Sequence, residues 1–167
     1  MRTIIKAAIL AALSALAAAP AFAQPLVGLP AGVHFGASLA ETQAAVTPVC
    51  PKLNVRRIDP PFLDVIKDRQ MQIDCDGLIF QGKPRHVEFV IGDDRLGMIW
   101  LMVGADETPA VVDVLAKAYG PAQRVNARYS VFPGRRAAYR HDRSEILFYG
   151  AERAGDVTPD FRPDPPK

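Results

Sequence analysis

The nine residues QIDCDGLIF, at positions 72–80, constrain the fold most, because they read as a β-strand whose apolar face changes phase. The apolar residues up to Cys75 lie at odd positions, whereas Leu78 and Phe80 continue the apolar face at even positions. One extra residue in a strand produces this change, and glycine is the residue that a β-bulge tolerates best. We therefore expect a bulge at Gly77 that turns both apolar sets, and the Cys75 side chain, toward one core.

The N-terminal segment has the organisation of a secretory signal peptide. Arg2 and Lys6 precede an alanine-rich apolar run that ends in Ala-Phe-Ala, the small-x-small pattern that a signal peptidase reads. This run falls short of the ~20 strongly apolar residues that a membrane-spanning helix needs, so a retained membrane anchor is the weaker alternative. We therefore expect cleavage after Ala23, which removes residues 1–23. Since no cysteine at the cleavage point accepts a lipid, we expect a soluble protein in the periplasm, with no membrane span.

The charge balance argues against nucleic acid as a partner. The leader carries two of the 20 basic residues and none of the 18 acidic ones, which leaves 18 of each in the mature chain. Nucleic-acid binding depends on an excess of lysine and arginine that neutralises several phosphates. We therefore expect no nucleic-acid partner, and an anionic partner would have to meet a local cluster of positive charge.

Cys50 and Cys75 are the two cysteines of the chain, and export makes a disulfide between them the expected state. Closing a loop of about 25 residues restricts the unfolded chain by roughly 3.5 kcal/mol on the loop-entropy model. The alternatives are a redox pair, which more often has the spacing C-x-x-C, and a metal site, which needs further ligands nearby. We interpret the pair as a structural disulfide that joins the end of the first helix to the sheet.

The first structural unit follows a proline- and glycine-rich lead-in at residues 24–37. Ser38 begins the capping-box pattern S-L-A-E, and Pro48 predicts that the first helix kinks or restarts at 47 or 48. Residues 54–69 contain a double proline and many charges, so we predict a connection there with one helical turn. Three antiparallel strands are then expected at 70–80, 85–92 and 95–103, separated by turn-forming residues.

The pairing of the last two of these strands is predicted from the Asp93-Asp94 turn. If these two residues form the whole turn, three apolar side chains of one strand lie opposite three of the other and make one continuous apolar face. The expected pairs are Leu96 with Ile91, Met98 with Phe89, and Trp100 with Val87.

The second unit repeats the order of the first. A helix is predicted from Thr108-Pro109 to Gly120-Pro121, and strands at 124–132, 136–141 and 145–150. We therefore expect an α+β fold in which two helix-plus-three-strand meander halves form a two-layer structure with the helices on one face of the sheet. The expected single domain spans 38–150, with halves 38–103 and 107–150. The tail 151–167, rich in proline and charge, is predicted to be disordered.

Six arginines between positions 124 and 143 concentrate positive charge in an otherwise neutral chain. If both hairpin loops of the second unit have three residues, Arg128 lies beside Arg140, and Phe132 beside Arg136. Guanidinium groups and aromatic rings together suit an acidic protein surface or an envelope polyanion. The alternative is a solvated face whose arginines cover apolar surface. The candidate binding residues are Arg128, Arg136, Arg140, Phe132 and Phe148.

The sequence lacks the common signatures of catalysis. It has no G-x-S-x-G and no H-E-x-x-H, and a disulfide leaves no free thiol, so we expect that the protein is not an enzyme. We also predict no metal and no cofactor. His34, His86 and His141 lie on separate elements, and the spacing of Asp74, Asp76, Asp93 and Asp94 is not that of a calcium loop.

Two short patterns carry a resemblance to known families. They are Phe35-Gly36-x-Ser38 before a short amphipathic helix, and Leu115-x-x-x-Tyr119-Gly120-Pro121 at the end of a helix. With the order of elements over roughly residues 33–150, they resemble the β-lactamase inhibitor proteins and the outer-membrane assembly lipoproteins of the SmpA/OmlA type. The chain departs from those lipoproteins in lacking a cysteine that accepts a lipid.

The resemblance implies a non-catalytic protein that binds other proteins through its sheet face. We therefore expect a soluble exported interaction module with a protein partner in the cell envelope, which acts in envelope maintenance or inhibits another protein. The alternative is a binder of an anionic small molecule or envelope polymer through the arginine-rich face.

Overall fold

Helices and strands follow each other along the chain in two similar series. The computed structural model describes residues 26–63, 66–132 and 134–164. Within them the strands form one eight-stranded antiparallel sheet, so the predicted α+β fold is confirmed. No helix in these ranges is long and apolar enough to cross a membrane. The elements are α1 (Leu39–Val46), β1 (Lys52–Ile58), β2 (Gln70–Phe80), β3 (Lys83–Gly92), β4 (Arg95–Met102), α2 (Thr108–Tyr119), β5 (Gln123–Arg124), β6 (Tyr129–Phe132), β7 (Ala137–Arg140), β8 (Glu145–Tyr149) and α3 (Ala154–Val157).

The sheet joins the two halves through the last strand of each. Its strand order is β1-β2-β3-β4-β8-β7-β6-β5, so each half is a meander and β4 pairs with β8 at the centre. Ile99 lies opposite Phe148, and Trp100 lies opposite Leu147. The halves therefore share one hydrogen-bonded sheet and cannot separate without breaking its central ladder.

Each half has one strand more than the sequence predicts, because strands β1 and β5 occupy the two edges of the sheet. Residues 52–58 form β1, which pairs with β2, whereas we predicted a connection from residue 54 onward. An edge strand needs few apolar residues, and β1 supplies Leu53 and Val55 to the core while charged residues alternate with them. The charged residues of this segment favoured the prediction of a loop, but an edge strand tolerates them as well.

Helices α1 and α2 cover one face of the sheet, which we call the inner face. Val46 of α1 and both Val111 and Leu115 of α2 are buried in the core beneath it. Ser38 caps α1 through the predicted capping box, and the predicted restart is a turn of 3-10 helix at Thr47–Val49. The strand residues of this core are Ile73, Cys75, Leu78, Phe80, Val87, Phe89, Ile91, Leu96, Ile99, Leu101, Phe132, Ala137, Tyr139, Ile146 and Phe148.

The bulge in β2 lies at the predicted position. The pairing of β2 with β3 shifts by one residue between Asp76 and Leu78, and Gly77 has a φ of +99°. L-residues with a side chain rarely adopt this conformation, which explains the glycine. Cys75 therefore faces the inner core, where it forms the predicted disulfide with Cys50 across a Cα–Cα distance of 5.6 Å.

A second bulge, at Gly97 in β4, was not predicted. Ile91 lies opposite Leu96 as expected, but Val90 then lies opposite Met98 because the register shifts by one residue. The prediction that Met98 and Trp100 join Leu96 on one face is therefore wrong. A Cβ atom at Gly97 would lie 2.7 Å from Arg153 Nε, so the glycine leaves room for a side chain from the C-terminal segment.

Residues 151–164 form this C-terminal segment, so the prediction of a disordered tail is wrong for these residues. The segment forms short helical turns, including α3, that pack on the sheet face opposite α1 and α2, which we call the outer face. Val157 is buried there, and the Phe161 ring meets the Tyr129 ring edge-on at 5.2 Å. Composition favoured disorder because the segment has few apolar residues. Those few pack against outer-face side chains that include Met98, which the Gly97 bulge turns to this face.

We expect that breaking the disulfide lowers the free energy of unfolding by about 3.5 kcal/mol, because the bond closes a loop of 25 residues. Urea unfolding of the oxidised protein and of the Cys50→Ala/Cys75→Ala double variant measures the difference. A thiol count on denatured, unreduced protein provides the control. Two titratable thiols in exported material would contradict the bond.

We expect Val157→Asp to detach the C-terminal segment from the outer face, because it places a carboxylate in a buried apolar contact. Limited proteolysis should then cut residues 151–164 faster than in the original protein. Thr158→Asp, at the exposed neighbouring position, is the matched control. Equal cleavage rates in the two variants would mean that the segment is not held by this contact.

Candidate functional site

The predicted arginine-rich face is not assembled as expected, because both hairpin loops of the second half have four residues rather than three. Phe132 lies opposite Ala137, and Arg140 lies opposite both Tyr129 and Glu145. Arg136 falls in the loop, with a φ of +48°, instead of in a strand. A change of one residue in register moves every side chain of a strand to the other face.

The two phenylalanines of that prediction are also not surface residues. Phe132 and Phe148 are almost completely buried in the core beneath α1 and α2. The ring of Tyr119 in α2 meets both of them edge-on, at 6.2 and 6.4 Å. Their predicted role in binding is wrong, since the register turns them toward the helices.

Arg140 lies on the outer face within a network of ion pairs and aromatic rings. Its Nε is 2.8 Å from Asp142 Oδ1, and its Nη1 is 3.6 Å from Glu145 Oε2. The guanidinium carbon lies 6.0 Å from the centre of the Trp100 ring. Its side chain is 12% exposed, whereas that of Arg128 is 51% exposed. Arg128, Arg136 and Arg140 therefore do not form one basic surface.

The part of the outer face that the C-terminal segment leaves open carries a cluster of carboxylates and one imidazole on β2 and β3. The strand register places Asp76 opposite His86 and Asp74 opposite Glu88, all four pointing away from the inner core. One ligand atom each from Asp74, His86 and Glu88 lies within 4.8 Å of the others. We call Asp74, Asp76, His86 and Glu88 the outer-face cluster.

Asp74 is the most firmly held member of the cluster. Its Oδ2 accepts from Arg56 Nε at 2.7 Å and from Asn54 Nδ2 at 3.4 Å, and its Oδ1 accepts from Gln72 Nε2 at 2.6 Å. Partial burial acts to raise the pKa of Asp74, but the hydrogen bonds from Arg56 and Gln72 hold it below the usual value. Asp74 is therefore an ionised acceptor at neutral pH.

His86 is oriented by Asp76. The imidazole Nδ1 lies 2.5 Å from Asp76 Oδ1, and because an ionised carboxylate only accepts, Nδ1 is the donor. Nε2 then faces Glu88 Oε1 at 3.6 Å, which is beyond hydrogen-bond distance. Partial burial acts to lower the pKa of His86, but the hydrogen bond and charge of Asp76 raise it overall.

This cluster was not predicted from the sequence, because the histidines were compared only by their spacing along the chain. The signal was present: polar residues alternate at Asp74 and Asp76 and again at His86 and Glu88. Gln81 and Gly82 form a two-residue turn between them, which with the Gly77 bulge fixes the cross-strand pairs. The two strands are present as predicted, and their pairing follows from this turn and the bulge.

A separate apolar groove of about 410 Å³ lies between the N-terminal residues of the described chain and the β2–β3 hairpin. Val49 and Ile79 are large apolar residues on its rim, and Ile79 is 61% exposed. Its other lining residues are Gly28, Leu29, Pro30 and Leu78.

Comparison with family models, with curated proteins and with solved structures finds no match for this chain. The predicted resemblance to inhibitor and assembly proteins therefore stays a prediction.

We expect Arg140→Gln to destabilise the protein by about 1–3 kcal/mol, because Glu145 loses the guanidinium that pairs with it in a nearly buried position. Arg128→Gln, which removes an exposed charge on the neighbouring strand segment, should change the free energy of unfolding by less than about 1 kcal/mol. Urea unfolding of the three proteins measures both. Equal losses of unfolding free energy in the two variants would show that Arg140 contributes no more to stability than an exposed arginine.

Proposed function

We propose that this chain is an exported, non-catalytic interaction module of the cell envelope that contacts a partner protein through the open part of its outer face. The observation that carries this proposal is the unequal covering of the two sheet faces. Helices α1 and α2 cover the inner face, and the C-terminal segment covers one part of the outer face. The part formed by β1, β2 and β3 carries polar and charged side chains instead.

The chemistry of this surface suits protein recognition. Arg56, Asp74 and Asp76 are held in cross-strand ion pairs or hydrogen bonds, so their ordering on binding costs little further side-chain entropy. Trp100, on β4 next to this open part, lies under the Arg140 guanidinium at the border with the part that the C-terminal segment covers. Tryptophan and arginine are enriched where truncation weakens protein interfaces most. A charged sheet surface bordered by an aromatic side chain offers residue types that are found at such interfaces.

The disulfide supports an oxidising compartment for this interaction. The predicted leader, residues 1–23, lies outside the described residues, and the periplasm is proposed from its sequence pattern. The alternative function, binding of an anionic ligand by an arginine-rich face, is not favoured by any contact in the described residues. Arg128 and Arg140 share the carboxylate of Asp142, which leaves less positive charge for a ligand than the sequence indicated.

Site-specific photo-crosslinking in living cells tests the proposal. A photoreactive residue is placed at Asn54 or Arg56, which are exposed on the outer face of β1. Matched controls carry it at Gln43 of α1 and Lys117 of α2, which are exposed on the helices. We expect adducts of discrete mass from the two β1 positions and none of the same mass from the helices. Adducts only from the helix positions, or none anywhere, would contradict the use of this face.

A further inference from the structure

The outer-face cluster places three metal-ligand side chains from two neighbouring strands at one point. Asp74, His86 and Glu88 each direct one ligand atom to a space in which these atoms lie within 4.8 Å of one another. The side chains of His86 and Glu88 are 35% and 28% exposed, so the space can be reached from solvent. None of the three belongs to the disulfide or to the core that holds the fold together.

When the imidazole is neutral, no donor lies between His86 Nε2 and the Glu88 carboxylate. Because His86 Nδ1 donates to Asp76, the Nε2 of a neutral imidazole offers a lone pair toward the Glu88 carboxylate. Glu88 also lies directly opposite Asp74, and like charges in a cross-strand pair repel. The ion pair that the structure describes for Glu88 is the loose contact with His86 at 3.6 Å. A cation at this point would pair with the Glu88 carboxylate and the Nε2 lone pair, and it would reduce the repulsion between Glu88 and Asp74.

We propose that Asp74, His86 and Glu88 form a binding site for a divalent transition-metal ion of the Zn²⁺ type, with Asp76 as the residue that orients His86. An imidazole nitrogen and two carboxylate oxygens are a donor set that such ions accept, with the remaining positions open to solvent. A carboxylate that takes the second N–H of a ligating histidine is a recurrent feature of such sites, since it fixes the ring and its tautomer. This inference does not depend on the proposed function.

The existing contacts of Asp74 are compatible with this role. Arg56, Asn54 and Gln72 donate to its two oxygens, but a carboxylate has about four lone-pair positions, so acceptor capacity remains. The Arg56 side chain is 46% exposed and can turn toward solvent if a metal ion competes for the same oxygen.

Calorimetric titration of the exported protein, without a histidine tag, with zinc chloride at mildly alkaline pH tests the site. We expect one equivalent of Zn²⁺ to bind, and both His86→Gln and Glu88→Gln to lose this binding. Asp76→Asn should weaken binding by roughly 10- to 100-fold, because it removes the orienting carboxylate without removing a ligand. His34→Gln, at an exposed histidine outside the cluster, is the control and should bind as the original protein does.

A second readout separates a lost ligand from a lost fold. The ¹⁵N resonances of His86 in the original protein should show a zinc-dependent shift at Nε2 and little change at Nδ1. The proposal is overturned if no zinc binds below millimolar concentration, if His86→Gln binds as tightly as the original protein, or if the zinc-dependent shift occurs at Nδ1.

Discussion

The extra residue at Gly77 is the constraint on which the rest of the first half depends. It shifts the register of β2 against β3 by one position, and the left-handed φ of +99° at this point is accessible to glycine. On the inner side the shift lets Cys75 and Leu78 face the same core, so that the disulfide can form. On the outer side it places Asp76 opposite His86. The disulfide and the outer-face cluster are thus two consequences of one backbone feature.

The two faces of the sheet are stabilised in different ways. The inner face has a continuous apolar core under α1 and α2, closed by the disulfide. The outer face has two different parts. The C-terminal segment packs on tyrosine, leucine and methionine side chains near β4 and β8. The part formed by β1, β2 and β3 is polar. Since β4 and β8 pair at the centre, the polar and covered parts of the outer face lie on one continuous sheet.

Local signals in the sequence predicted the features that depend on neighbouring residues. The capping box at Ser38, the bulge at Gly77 and the Asp93-Asp94 turn each rest on the backbone preferences of a few residues, and all are present in the structure. The disulfide was predicted from the presence of two cysteines together with the expectation of export, and it is present in the structure.

Features that depend on distant contacts were not predictable in the same way. Loops of four residues replaced the expected three in the second half, and this moved Arg140 into an ion-pair network and Phe132 into the core. The Gly97 bulge makes room for Arg153 and turns Met98 to the outer face, where the C-terminal segment packs. The outer-face cluster required the pairing of β2 with β3, which depends on the turn between them having only the two residues Gln81 and Gly82.

Interstrand nuclear Overhauser effects between β2 and β3 test the central claim most directly. The account predicts cross-strand contacts of Asp76 with His86 on one side of Gly77 and of Leu78 with Arg85 on the other, which is the signature of one extra residue between them. Contacts of Leu78 with Pro84, in unbroken register with the Asp76–His86 pair, would show that no bulge exists. Both the inward position of the disulfide and the geometry of the outer-face cluster would then need another explanation.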